Sequence, residues 1–193
     1  MFARITSLEN LQLAWHEFRR GKRDRQDVMA FERHLEDNIF SLHEELTNGT
    51  YRHGPYHKFH VYDPKHRVIH KATVRDRLVH HAVHRVLLPV FERSFIYDSY
   101  SCRDGKGTHA AVRRLEVFAR RVSRNHHDPC WALKFDIRRF FDSVDHEILL
   151  GILEKTIAKA TGRSGPVHYQ TMALLSEIVG SYHTPIAAGG GCY

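Results

Sequence analysis

The chain has 193 residues, 42% of them hydrophobic and 26% charged. That is long enough to bury one core and too evenly mixed for a disordered or membrane-embedded polypeptide. No apolar run reaches membrane-spanning length and no signal peptide is apparent, which speaks against a membrane role. Cys102, Cys130 and Cys192 lie far apart without a CxxC spacing, so neither a disulfide framework nor a zinc site is expected, and a reducing cytoplasm suits them. A formal net charge of +7, a pI near 9.5 and 17 histidines favour a polyanionic partner, with nucleic acid the commonest.

In chain order, residues 6–20 predict a short helix with Leu8, Leu11, Trp15 and Phe18 on one side. Residues 25–47 predict a longer one carrying Val28, Phe31, Leu35, Ile39, Leu42 and Leu46, stopped by Asn48-Gly49. The connector RRGKRDR over 19–25 is strongly basic; such a run is a solvated link or a phosphate contact.

Residues 51–77 contain two strand-like runs around Asp63-Pro64-Lys65-His66, a turn-rich tetrapeptide. With those four residues as the loop, Tyr62 opposes Arg67, His60 opposes Ile69 and Lys58 opposes Lys71. One face then carries Lys58, His60, Tyr62, Arg67 and Lys71, and the other packs on a core. A slip of one residue exchanges the faces.

Residues 75–93 predict a helix with Leu78, Val79, Ala82, Val83, Val86, Leu87 and Val90 inward, which Pro89 would kink or end early. His80 and His84 have a metal-ligand spacing but no accompanying ligand set. Asp76-Arg77 reads as a structural pair or a cap. The glycine-punctuated loop 97–109 brings Arg103 and Lys106 and is not a Walker loop. A helix over 107–125 follows, with Ala111, Leu115, Phe118 and Val122 as its stripe among five arginines.

In Cys130–Leu150, Trp131, Leu133, Phe135 and Ile137 alternate with Ala132, Lys134 and Asp136, the pattern of a strand with one buried face. Asp136 falls near its end, on the other face. Phe140 and Phe141 lead into a helix with Val144, Ile148, Ile152 and Leu149, Leu153, Ile157 as apolar rows and Ser143 or Asp145 as N-cap. An aspartate at a strand end is commonly a turn former or cap; it is also well placed to hold a divalent metal against a phosphate. Gly162–Gly165 breaks the chain before a last helix over 166–182, and TPIAAGGGCY loses all periodicity.

The string DIRRFFDSVDHEIL resembles the first polymerase motif of bacterial retroelement reverse transcriptases, the group that includes group II intron and diversity-generating enzymes. DPKxRxI followed by RDRxVHHAV resembles their fingers region, and SYSCRDGKGTHAAV their second block, in the expected order. The resemblance covers about residues 50–185. It implies an α+β fold built from fingers and the start of the palm, helix-rich, with a basic β-hairpin and a palm strand. The domains would be a helical region over 1–50, a fingers-like region over 51–129 and the first part of the palm over 130–193.

The resemblance further implies template-directed nucleotidyl transfer by two Mg²⁺ ions, on an RNA template with a DNA or RNA primer and dNTPs. Asp136 and the carbonyl of Ile137 would be metal ligands, with Asp136 catalytic. Lys65 and Arg67 would hold the incoming triphosphate, where a planar guanidinium suits paired oxygens. Phe141 would gate the ribose 2′-hydroxyl, and Lys58, Lys71, Arg103 and Lys106 would contact nucleic acid.

The family's remaining carboxylates come from a later YxDD-type hairpin that is absent here; Ile96-Tyr97-Asp98-Ser99 precedes Asp136 and lacks the double acid. TPIAAGGGCY stands where another loop is expected, so the sequence predicts a truncated or shifted reading frame that is inactive alone. A non-catalytic RNA-binding module derived from the same family is the alternative. A metal-dependent nuclease using Asp136 with Asp142 or Asp145 is the third reading.

Overall fold

A computed structural model describes residues 1–137, 140–162 and 165–182, without the side chain of Asp142. The tail TPIAAGGGCY lies outside the described residues, as does part of the Gly162–Gly165 break. The chain divides into two compact units, Met1–Phe91 with Val144–Tyr193, and Glu92–Ser143.

The larger unit holds the core. The helix expected over 6–20 forms as α2 (Leu8–Phe18), and a short α1 (Phe2–Thr6) precedes it. Ser7 separates them with an extended backbone and caps α2, its hydroxyl accepting from the Asn10 N–H at 3.2 Å. The next expected helix is two, α3 (Gln26–Glu32) and α4 (Leu35–Thr47). His34 leaves the helical region there, at φ −123° and ψ 42°, and the Asn38 amide bridges the break by donating to the Phe31 carbonyl at 2.9 Å. Leu11, Trp15, Phe18, Val28, Ile39, Leu42 and Leu46 are all buried, so the apolar rows face inward despite that break.

Those side chains pack with α5 (Val74–Glu92), whose Leu78, Val79, Ala82, Val83, Val86 and Leu87 are buried as the spacing predicts. Pro89 sits inside α5 and does not end it. Asn10 donates to the Ala82 carbonyl at 3.0 Å, tying α2 to α5.

The later helices are α7 (His146–Thr161) and α8 (Pro166–Gly180), which join the core through Ile157, Leu174 and Leu175. Of the two N-caps weighed for α7, Asp145 is the one, accepting from the Ile148 N–H at 3.0 Å. Only one of its predicted rows is used: Leu149, Leu153 and Ile157 turn inward, whereas Ile148 and Ile152 are exposed.

The sheet has two antiparallel strands, β1 (His57–Tyr62) and β2 (His66–Lys71). The element mix is α+β. The expected register is wrong by one residue. Tyr62 opposes His66, Val61 opposes Arg67, His60 opposes Val68 and Lys58 opposes His70, so the loop is the three residues 63–65. His66 enters the ladder because its ring meets two others there: Tyr62 at 4.8 Å between centroids, and His60, whose Nδ1 lies 2.7 Å from His66 Nε2. One face therefore carries Lys58, His60, Tyr62, His66, Val68 and His70; the other carries His57, Phe59, Val61, Arg67, Ile69 and Lys71. The single basic face does not form. Nor does either face lie buried on a core: Phe59 and Val61 are half-buried, and Val68 and Ile69 are exposed.

In the smaller unit, α6 (Thr108–Val122) forms as the spacing predicts, but Leu115, Phe118 and Val122 remain exposed. Ser123 is the one buried residue among this unit's described residues. The strand expected over 130–137 is absent: those residues form no ladder, and Trp131, Leu133 and Phe135 are 93, 87 and 82% exposed. Alternation supplies a face, not a partner, and a strand needs neighbours to satisfy its backbone groups. Among the described residues no segment pairs with it.

One buried carboxylate organises the larger unit. Asp76 accepts from the Thr73 hydroxyl at 2.6 Å, the Tyr51 hydroxyl at 2.9 Å, the Arg75 guanidinium at 3.1 Å and the Gly54 N–H at 3.2 Å. Thr73 caps α5 in return, its hydroxyl accepting from the Asp76 N–H at 3.2 Å. The expected Asp76–Arg77 pair is not formed, since Arg77 reaches Asp27 at 2.6 Å instead. Burial alone would raise the Asp76 carboxyl; the Thr73 and Tyr51 hydroxyls, His53 and Arg75 outweigh it and hold the group below its ordinary range. A Cβ on Gly54 would meet the Asp76 Oδ2 at 3.0 Å, so the close approach requires glycine.

Removing this acceptor leaves several buried donors without partners. Asp76→Ala should lower stability by about 3–5 kcal/mol, read as a fall in the urea midpoint at pH 7.

A second consequence concerns acid. Burial, chiefly, together with His53, pushes His80 down to about 4 from 6.5. The folded state therefore binds fewer protons than the unfolded chain between those values. The stability is fully present above pH 6.5, falls as pH drops towards 4 and levels off below, by at most about 3 kcal/mol. Asp76 adds a further loss below its ordinary range, because its carboxyl is depressed. Urea titrations across pH 7 to 4 should show the first slope in the parent chain and a flatter profile in His80→Gln.

Candidate nucleic-acid interface

The hairpin is rooted at both ends in the Asp76 cluster, with Gly54 three residues before β1 and Thr73 two residues after β2. Its base is held from two sides. Lys71 pairs with Asp27 at 2.6 Å, and His70 Nδ1 lies 3.2 Å from the Tyr182 hydroxyl. The preceding segment is tied to α8, where the His53 N–H donates to Glu177 at 2.8 Å and the Tyr56 and Ser181 hydroxyls are 3.2 Å apart. Beyond this base the hairpin is exposed, so a rigid root carries an open tip.

The cations expected to meet nucleic acid divide into two sets. Lys58, Lys65 and Arg67 are exposed, and none has an ion pair among the described residues. Lys71 is different. With Arg77 it holds the Asp27 carboxyl low against the opposing effect of burial, and so it anchors the hairpin.

The smaller unit uses its cations internally too. Arg103 donates to Glu92 at 2.8 and 2.6 Å, to the Ile96 carbonyl at 2.8 Å and to the Ser99 carbonyl at 3.1 Å, and its side chain is buried. It closes the loop that precedes α6 and has no free donor face for a template. Lys106 donates to the Tyr97 carbonyl and lies 3.8 Å from the centre of that ring. Arg114 joins Asp98 at 2.8 Å, which also accepts from the Tyr100 hydroxyl at 3.0 Å. These bonds make 97–114 a self-braced loop and helix start.

Asp136 is exposed, and its Oδ1 accepts from the Ile137 N–H at 2.9 Å. Ile137 follows it, also exposed. Phe141, 81% exposed, opens a single turn and meets Phe140 edge-on at 5.3 Å, and neither ring is buried. Among the described residues no group of three or more His, Cys, Asp or Glu side chains could hold a metal ion. Mg²⁺ needs several converging oxygens. One carboxylate beside one carbonyl does not make that site. His80 does not act with His84 as a ligand pair; its Nε2 faces His53 Nε2 at 3.2 Å.

The residues that sequence reasoning missed are Tyr51, His53, Gly54 and Glu177, which position the hairpin without touching its tip. Their signal was present in the Thr73–Asp76 capping spacing. Their partners, however, are distant in sequence.

Comparison with known proteins agrees with this arrangement of motifs. Residues 57–174 match the family model described as reverse transcriptase (RNA-dependent DNA polymerase). The chain is 28% identical over 123 residues to Protein YkfC of Escherichia coli, covering 62% of this chain and 31% of that protein. It is 26% identical over 125 residues to the group II intron-encoded protein LtrA of Lactococcus lactis, covering 63% and 20%. A mitochondrial nuclear intron maturase 1 of Arabidopsis thaliana is 28% identical over 83 residues, covering 43% and 11%. The match thus spans less than a third of each relative. No helix among the described residues is long and apolar enough to cross a membrane. With more than half of its length matched by the family model, the chain belongs to the reverse transcriptase (RNA-dependent DNA polymerase) family.

Proposed function

We propose that this chain contributes the fingers and the first part of the palm to an RNA-directed DNA polymerase, acting in the cytoplasm on an RNA template, a primer and dNTPs. The observation that carries the reading is the open hairpin, where Lys58, Lys65 and Arg67 have no acidic partner among the described residues while Lys71 at its base is consumed by an ion pair. Such groups are available to phosphates, and the two faces of the hairpin would take different ones: Arg67 the triphosphate of a nucleotide, Lys58 the strand. Lys71 becomes a support for that surface, whereas Arg103 and Lys106 brace their own loop. Asp136 would supply one carboxylate to the two-metal transfer that the family implies, with the Ile137 carbonyl beside it and Phe141 as the ribose gate. The remaining ligands must then converge on Asp136 from residues other than those described.

A binding module without catalysis is favoured by one observation: among the described residues, no metal-ligating cluster forms around Asp136. Of the two partners in the nuclease reading, Asp145 is engaged as the cap of α7, and the side chain of Asp142 lies outside those described.

Two measurements test these statements. The 193-residue chain should bind a primer–RNA duplex with an affinity that falls steeply with salt, and Lys58→Ala should reduce the log–log slope by about one. Binding that ignores salt would refute the interface. In primer extension with dNTPs and Mg²⁺, the same chain should yield no product. Robust extension would mean that the metal cradle is complete within it.

A further inference from the structure

The hairpin face that carries Lys58 also carries three rings, His60, Tyr62 and His66. The His60 and His66 rings are parallel within 4°, and His60 Nδ1 lies 2.7 Å from His66 Nε2. Parallel planes cannot be farther apart than any pair of their atoms, so these planes are too close for the rings to stack. Their centroid separation, 5.0 Å, equals the nitrogen–nitrogen distance plus a ring radius on each side. The two imidazoles therefore lie edge to edge in one plane, joined by a shared proton into a flat plate. Tyr62 lies within 25° of that orientation, 4.8 Å from His66, and is 75% exposed. Tyr62 leans against the His66 end of the plate, and the rest stays open, since His60 and His66 are exposed as well.

Three aligned rings held in water on a rigid root stabilise little by themselves. A metal is a poor occupant: the facing nitrogens already share a proton, no third ligand joins them among the described residues, and Lys58 stands on the same face. A planar, uncharged group whose strand carries phosphates fits both features at once, the rings taking its face and Lys58 its charge.

We infer that His60, Tyr62 and His66 form a stacking shelf for an unpaired nucleobase of a single-stranded nucleic acid, on the hairpin face opposite Arg67. The inference rests on the nucleic-acid reading above and names where that strand would lie.

The test uses the full chain and a labelled single-stranded RNA, compared with an abasic strand of equal length, by fluorescence anisotropy. Tyr62→Ala should weaken binding to the base-bearing RNA roughly tenfold, and Tyr62→Phe, which keeps the ring, should not. On the abasic strand all three proteins should bind alike. Equal binding of Tyr62→Ala and the parent chain to the base-bearing RNA would overturn the shelf, as would an equal loss on both strands. Salt-sensitive RNA binding that persists in those cases leaves the interface standing. If the parent chain binds neither strand, the interface fails and the shelf with it.

Discussion

A carboxylate removed from water must be surrounded by donors, and that requirement fixes the geometry of the larger unit. Asp76 meets it with two hydroxyls, a backbone N–H and a guanidinium, drawn from residues 51, 54, 73 and 75. Those residues bracket β1 and β2. Because each donor has to reach the same two oxygens, both roots of the hairpin are held at a set separation, and α5 begins where its cap hydroxyl can serve the same acid. His53 extends the constraint, its N–H on Glu177 of α8 and its ring within 4.0 Å of Asp76. A flap with a fixed base and an exposed tip follows from one buried charge.

The same electrostatics sort the basic residues. Twenty-nine lysines and arginines suggest an abundance of phosphate-binding groups, yet several of them are paired inside the protein. Arg75 serves Asp76 and Glu45, Arg77 and Lys71 share Asp27, and Arg103 is wrapped by its own loop. The cations left at the hairpin tip are few, which concentrates the surface available for a polyanion. Charge counts along the sequence cannot separate the two populations, because an ion pair depends on acids that lie far away in the chain.

Local features were legible for that reason. The rows Leu11–Trp15–Phe18 and Ile39–Leu42–Leu46 are three and four residues apart, and burial follows periodicity whether or not the helix is broken at His34. The hairpin was legible as a hairpin. Its register was not, since one residue more or less in the loop decides it and the ring contacts of His66 are not written in strand propensity. Asp76 was read beside the wrong arginine: Arg75 and Arg77 flank it equally, and only the helix start determines which one points at it. The segment 130–137 has the alternation of a strand and none of its bonds, because pairing is a property of two segments.

Comparing the two aspartates sharpens what the candidate catalytic acid lacks. Asp76 is immobilised by four neighbouring groups and acts on nothing outside the fold. Asp136 touches its own successor's N–H and sits on a segment whose large side chains are in water. Phosphoryl transfer gains rate from groups fixed in advance where charge develops, so a freely hydrated carboxylate contributes little until its backbone is fixed. The exposed faces of Trp131, Leu133 and Phe135 offer the means of fixing it: covering them with a neighbouring strand would bury apolar area and satisfy the backbone at the same time. On the role proposed for Asp136, ordering of 130–137 and assembly of the acid site are then one event rather than two, and whichever segment supplies the strand partner also sets the position of Asp136.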